Sequence, residues 1–295
     1  MLAEAAICSQ RLDWRDVVSL GKPRLSSMVV FTTAVGMRLA PQACPWPRLG
    51  LILLATFLVV AAANALNCYY ERDVDAQMRR TRGRPLPAGR LEPGQVLCGG
   101  LAVGGLAIAT LYRVANPLTA LLAFLAFALY VWVYTPMKRY SWWAVWVGAL
   151  PGAIPPLMGW AAITGTLPIA AWPLFVLMCV WQLPHFFAIA VALQEDYGRG
   201  GLHILPQVYG PRATVAWTVA TGICTWAVSL WPWGAGLVGP RAGLVACLGG
   251  AAFVLLTLSG FARPLIPWAR SVFIASIFYL VLLLTLLLSG APPSA

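Results

Sequence analysis

The sequence predicts an all-α polytopic membrane protein with nine transmembrane helices. Hydrophobic residues fill 60% of its 295 positions and charged residues only 10%, far below the roughly one-quarter charged content of ordinary soluble domains. Apolar stretches long enough to cross a bilayer recur along the whole chain, and lysines and arginines gather in alternate connecting segments.

The apolar stretches run near 24–41, 50–68, 95–113, 117–135, 142–163, 168–194, 213–235, 242–261 and 271–290. Each has about the 17 to 25 residues that a transmembrane helix needs. Pro and Gly interrupt several of them, which membrane helices tolerate, so their ends are soft. Nine crossings put the termini on opposite sides. With the N-terminus inside, the inner segments hold Arg11, Arg15, Lys22 and Arg24, then the six arginines from Arg72 to Arg90, then Lys138 and Arg139, Arg199 and Arg212, and Arg263 and Arg270. That is 16 of the 20 basic residues; only Arg38, Arg48, Arg113 and Arg241 fall outside. The positive-inside rule therefore predicts a cytoplasmic N-terminus and an external C-terminus. All nine acids also fall inside, which points to chemistry on the cytoplasmic face.

The net charge of +11 is then mostly topology plus one basic cytoplasmic surface, and charges strung between spans do not suit nucleic-acid binding. The seven cysteines are scattered and odd in number, and they never form a CxxC pair, which argues against a disulfide framework or a zinc site. Residues 1–20 read as a cytoplasmic segment. Glu4, Asp13 and Asp16 within it fit neither a secretory signal nor an acid-poor presequence. A bacterial inner membrane is the expected location.

The second span runs directly into NALNCYYERDVDAQMRRTRGRPLPAGR, residues 64–90. In a helix, Asn67, Glu71 and Asp75 form one stripe, drifting about 40° per step over about 12 Å, while Asp73 points nearly the opposite way. One amide oxygen and two carboxylates at the water-facing end of a span make a cradle for Mg²⁺, which takes oxygen ligands and shares its shell with phosphates. Arg79, Arg80, Arg82 and Arg84 follow, and guanidinium groups suit phosphate oxygens. The competing reading is a solvated end whose acids only neutralise arginines. Asn64 and Asn67, amides inside the apolar part of the span, weigh against it.

The sixth span ends in WQLPHFFAIAVALQEDYGRGGLHILPQVYG, with Asp196 as a second candidate ligand. If the helix is continuous, His185 lies on the same face as Asp196 and about 16 Å deeper, where an ionisable group is a functional candidate by default. A neutral histidine bonded to a backbone carbonyl near Pro184 is the alternative. His203 in the following loop reads as solvated. The YTPMKRY end of the fourth span by itself reads as an ordinary basic loop.

These residues resemble the intramembrane prenyltransferases, whose first motif N-x-x-x-D-x-x-x-D is matched by Asn67, Glu71 and Asp75, with Glu in the middle place. GKPRLSSMVV at 21, YTPMKR at 134, GAIPPLMGWAAITG at 152, WQLPHFFAIA at 181 and DYGRGGLHILP at 196 narrow the similarity to the heme-prenylating branch. A second D-x-x-x-D is not present, because Gly200 stands four places after Asp196, so a second metal site rests on Asp196, with or without Glu195. The resemblance implies one membrane-embedded domain over residues 1–295, with a central cavity open toward lipid and a cytoplasmic cap.

It further implies transfer of a farnesyl group from farnesyl diphosphate to a vinyl group of heme b with addition of water. Mg²⁺ would be held by Asn67, Glu71, Asp75 and Asp196, and the diphosphate by Arg80, Arg84, Lys138 and Arg139, with Lys22 and Arg24 as further candidates. His185 would orient the heme, ligate its iron or place the quenching water. A heme-oxidising or terminal-oxidase assembly partner downstream fits the same picture. Two other classes remain: a relative that prenylates a quinone precursor such as 4-hydroxybenzoate, and a transporter using intramembrane Asn, Asp and His.

Overall fold

The computed structural model describes residues 13–236 and 238–290; Glu4, Cys8 and Arg11 lie outside them. The order is α1 (Trp14–Leu20), α2 (Pro23–Leu39), α3 (Trp46–Gln77), α4 (Pro93–Val114), α5 (Pro117–Ala128) and α6 (Thr135–Met137), the last two joined by a π-helical turn, Leu129–Tyr134. There follow α7 (Ala144–Thr164), α8 (Trp172–Ala192), α9 (Gln194–Arg199), α10 (Leu205–Val208), α11 (Gly210–Ser229), α12 (Trp231–Gly234), α13 (Pro240–Leu258) and α14 (Leu265–Gly290). No strand occurs among the described residues. Proline stands at the first or second position of α2, α3, α4, α5, α8, α11 and α13, where its missing N–H costs nothing.

Among the described residues eight helices are long and apolar enough to cross a membrane, and they correspond to the second through ninth predicted stretches. The counterpart of the first, α2, has 17 residues, about 25 Å of helix. The last helix starts at Leu265, six residues before its predicted start, because Pro267 sits in its first turn and does not delay it. All six cysteines among the described residues are free thiols.

Helices adjacent in sequence pack side by side, and α14 returns to α2 and α8 to close the ring. The tightest seam joins α2 to α7. A Cβ on Gly36 would come 2.0 Å from the Pro156 carbonyl oxygen, and one on Gly159 would come 2.0 Å from that of Thr33. Backbone meets backbone there, which brings α7 into the middle of the molecule despite its internal Pro151, Pro155 and Pro156. Two neighbouring spaces lie within the bundle, one charged at the end of α3 and one apolar beside it.

Candidate active site

Because α3 stays helical to Gln77, the stripe keeps its register: Asn67, Glu71 and Asp75 are buried, while the Asp73 side chain is 71% exposed beside Arg72. Each member of the stripe meets a cation from a different segment. Lys22 Nζ donates to Asn67 Oδ1 at 2.7 Å, Lys138 forms an ion pair with Glu71, and Arg84 Nη1 donates to Asp75 Oδ2 at 2.6 Å.

Lys22 is the one non-glycine residue with positive φ among the described residues, at φ 45° and ψ 65°. Such a conformation is uncommon for a residue with a Cβ and persists where the surroundings enforce it. Here it turns the side chain from the start of α2 toward α3. Burial pushes the Lys22 pKa below the usual lysine value. Burial also works against the charges of Lys138 and Arg84, yet Glu71 and Asp75 outweigh it and hold both above their ordinary values.

The π-helical turn shapes the opposite wall. Pro136 has no N–H to continue the ordinary ladder, and the Thr135 N–H bonds back to the carbonyl of Tyr130. The hydroxyl of Thr135 also donates to that carbonyl at 2.8 Å and accepts from Asn67 Nδ2 at 3.1 Å. Tyr130 and Tyr134 are thereby brought onto one wall, with Lys138 Nζ 4.7 Å from the Tyr134 ring centre. The Tyr130 hydroxyl donates to Asn64 Oδ1 at 3.2 Å, so the two buried amides of α3 both have partners.

Asp196 is placed differently from the expectation. The helix breaks at Leu193, whose φ is −116°, so His185 on α8 and Asp196 on α9 do not share a continuous face. The Asp196 carboxylate instead accepts the backbone N–H groups of Arg79 at 2.7 Å and Arg80 at 3.2 Å, tying α9 to the chain leaving α3. Arg139 Nη2 donates to the Tyr70 carbonyl at 2.6 Å, and Arg24 lies exposed on α2. His203 is exposed in its loop, as expected, and also lines the charged space with its Nδ1 2.7 Å from the Arg139 carbonyl oxygen.

The charged space, about 330 Å³, is lined by Lys22, Asn67, Glu71, Asp75, Arg80, Arg84 and Lys138 on the polar side. Asp196, Arg24 and Arg139 do not line it. The apolar space, about 440 Å³, is walled by α2, α3, α5, α7, α8 and α14 and contains His185. Tyr130, Tyr134 and Phe186 line both and stand where the two meet, an aromatic neck through which a prenyl chain would have to pass. Sequence reasoning did not single out Tyr130; Thr135 and Tyr197 lie within the quoted YTPMKR and DYGRGGLHILP stretches, but their places, Thr135 bonding Asn67 and Tyr197 lining the charged space, come from the fold.

Among the described residues no three His, Cys, Asp or Glu side chains gather into a metal cluster. The stripe nonetheless fits Mg²⁺ by its chemistry. Its donors are all oxygens, and Asp75 Oδ1 is buried without a hydrogen-bond partner while Oδ2 is taken by Arg84. Two carboxylates and an amide leave the rest of the shell to phosphate oxygens or water.

Residues 29–282 match the UbiA prenyltransferase family. The chain is 50% identical over 277 residues to a protoheme IX farnesyltransferase of Anaeromyxobacter sp. (strain Fw109-5), covering 94% of each chain. It is 42% identical to that of Myxococcus xanthus (strain DK1622), covering 90% of each. Among solved structures, a digeranylgeranylglyceryl phosphate synthase superposes with a TM-score of 0.79 at 14% identity, over 94% of this chain and 98% of that one. A UbiA homolog from Archaeoglobus fulgidus bound to DMAPP and Mg²⁺ gives 0.67 at 18% identity, over 93% and 99%.

Proposed function

The chain belongs to the UbiA prenyltransferase family, and from that premise we infer that it is a protoheme IX farnesyltransferase, moving the farnesyl group of farnesyl diphosphate to a vinyl group of heme b. Water adds in the same reaction, and the products are heme O and diphosphate. The observation that carries the reading is a cation-rich oxygen pocket lying against an apolar cavity, with Tyr130, Tyr134 and Phe186 common to both, in a chain whose close relatives bear that name.

The diphosphate sits among Lys22, Arg80, Arg84 and Lys138, and the farnesyl chain runs through the neck into the apolar space. These cations bind the phosphate oxygens and take up negative charge as the C1–O bond breaks. Asn67, Glu71 and Asp75 would hold Mg²⁺, which would supply further neutralisation of the leaving group's charge. The faces of Tyr130 and Tyr134 flank the allylic cation, and the dry neck delays its capture by water. A vinyl carbon of heme b bonds to C1, water adds to the resulting porphyrin-side cation, and the released proton goes to the departing diphosphate. Asp196 contributes by fixing the amides of Arg79 and Arg80. Arg139 and Arg24 hold the basic rim.

The loop charges support a cytoplasmic site, with the N-terminus inside and the C-terminus outside a bacterial inner membrane, in a single domain. Extraction and mass analysis of hemes from cells expressing the chain tests the function. Heme b gains the mass of one hydrated farnesyl unit; unmodified heme b, with 4-hydroxybenzoate prenylated in a parallel assay, overturns it.

A further inference from the structure

His185 is held more tightly than a cavity wall requires. Its ring lies between Trp181, stacked at 5.0 Å and 24°, and Phe273 of α14, at 4.8 Å and 31°. Its Nδ1 is 2.8 Å from Ser276 Oγ, and the Trp181 indole N–H donates to the Ser276 carbonyl at 2.7 Å. Two side chains of α8 thus clamp one residue of α14.

The bond to Ser276 also sets the tautomer. Ser276 is fully buried, and its Oγ stands 2.7 Å from the Phe273 carbonyl oxygen, which can only accept, so the single hydroxyl proton belongs to that bond. With that proton committed, Oγ accepts, so the hydrogen resides on Nδ1 and the lone pair on Nε2. Among the described residues nothing bonds Nε2, and the ring lines the apolar cavity. The hydrogens of Thr32, Thr56, Tyr130 and Gln182 in the same wall are all donated within the protein. His185 therefore offers the cavity a basic nitrogen without a proton, among rings that keep water away. A neutral imidazole nitrogen is a good ligand for a transition-metal ion.

We infer that Ser276 fixes His185 as the Nδ1–H tautomer and that the Nε2 so presented is an axial ligand of the acceptor's iron. This rests on the heme-prenylating function above. Phe186, next in sequence, lines both spaces, so an acceptor held at His185 lies beside the residues shared with the diphosphate pocket. His185 is the contacting residue and Ser276 a positioning residue.

The test titrates the full-length protein in detergent with heme b and with iron-free protoporphyrin IX. Wild type shifts the Soret band of heme b. His185→Ala abolishes that shift and weakens heme b binding at least tenfold, with protoporphyrin IX unaffected and the shift restored by added imidazole. Ser276→Ala weakens heme b about 10- to 100-fold, the range typical of a lost outer-shell partner, and Ser276→Thr restores it. An unchanged Soret band and affinity in His185→Ala overturns the inference. So does a His185→Ala enzyme whose product is farnesylated but not hydrated, since that assigns the histidine to placing water. If His185→Ala does not fold, electron paramagnetic resonance of the wild-type complex decides: an imidazole nitrogen on iron is expected, and a ligand set without one overturns the inference. Heme O formation by wild type, measured separately, tests the function itself, so the ligation reading and the function fail independently.

Discussion

At the residue scale the acid stripe makes the sharpest prediction. Asp75 has one oxygen held by Arg84 and one buried without a partner, whereas Asp73 is solvated. Asp75→Ala lowers turnover at least about 10²-fold, the scale of losing one charge-stabilising group, and removes Mg²⁺-dependent diphosphate binding while the protein still inserts. Asp73→Ala keeps turnover within a few-fold. Steady-state kinetics over a Mg²⁺ series reads both; equal losses would mean that the buried face carries no special role. Lys22 makes a second prediction. Burial lowers its pKa while its neighbours Lys138 and Arg84 are held high, so it is the first of the three to lose charge as pH rises. The KM for farnesyl diphosphate therefore climbs on the alkaline side below the ordinary lysine value of about 10.4. Lys22→Arg moves that limb to higher pH, because a guanidinium stays protonated there. A limb that does not move places the titration elsewhere.

At the scale of elements, two contacts decide how the cap and the bundle are held. Asp196 joins α9 to the end of α3 through two backbone amides. Asn at this position keeps one acceptor oxygen and loses the other, so Asp196→Asn raises the KM for farnesyl diphosphate several-fold and leaves the apparent Mg²⁺ affinity unchanged. A fall in Mg²⁺ affinity would instead make it a metal ligand. The seam of α2 against α7 admits no side chain at Gly36 or Gly159. Gly36→Leu costs more than about 3 kcal/mol, beyond ordinary overpacking, because backbone atoms stand in the way. Gly50→Ala, with nothing within 4 Å, is neutral or mildly stabilising. Thermal unfolding in detergent compares them.

The whole molecule places a basic oxygen pocket against an apolar cavity, and the bilayer sets its orientation. The distribution of basic residues predicts that alkaline phosphatase fused after the C-terminus is active and that a fluorescent protein fused there is dark. The reverse result would require an even number of crossings. The short helix α2, with 17 residues, is where that parity is decided. It also carries Lys22 at its start, so the orientation of the bundle and the completeness of the pocket depend on the same segment.

The sequence by itself determined the class and the stripe. Composition and span length are sums over local residues, and the spacing of Asn67, Glu71 and Asp75 needs only helical periodicity to put three oxygens on one face. Where the periodicity was extended across a break, from His185 to Asp196, it failed, because the turn at Leu193 is a local backbone event that apolar patterning does not encode. Only the tertiary structure decided which cation meets which acid, since Lys22, Arg84 and Lys138 come from three segments and each pairing is set by packing. The partner of His185 was likewise beyond sequence reading: Ser276 lies 91 residues away, and only the contact of α8 with α14 brings its hydroxyl to the imidazole and so fixes which nitrogen faces the cavity.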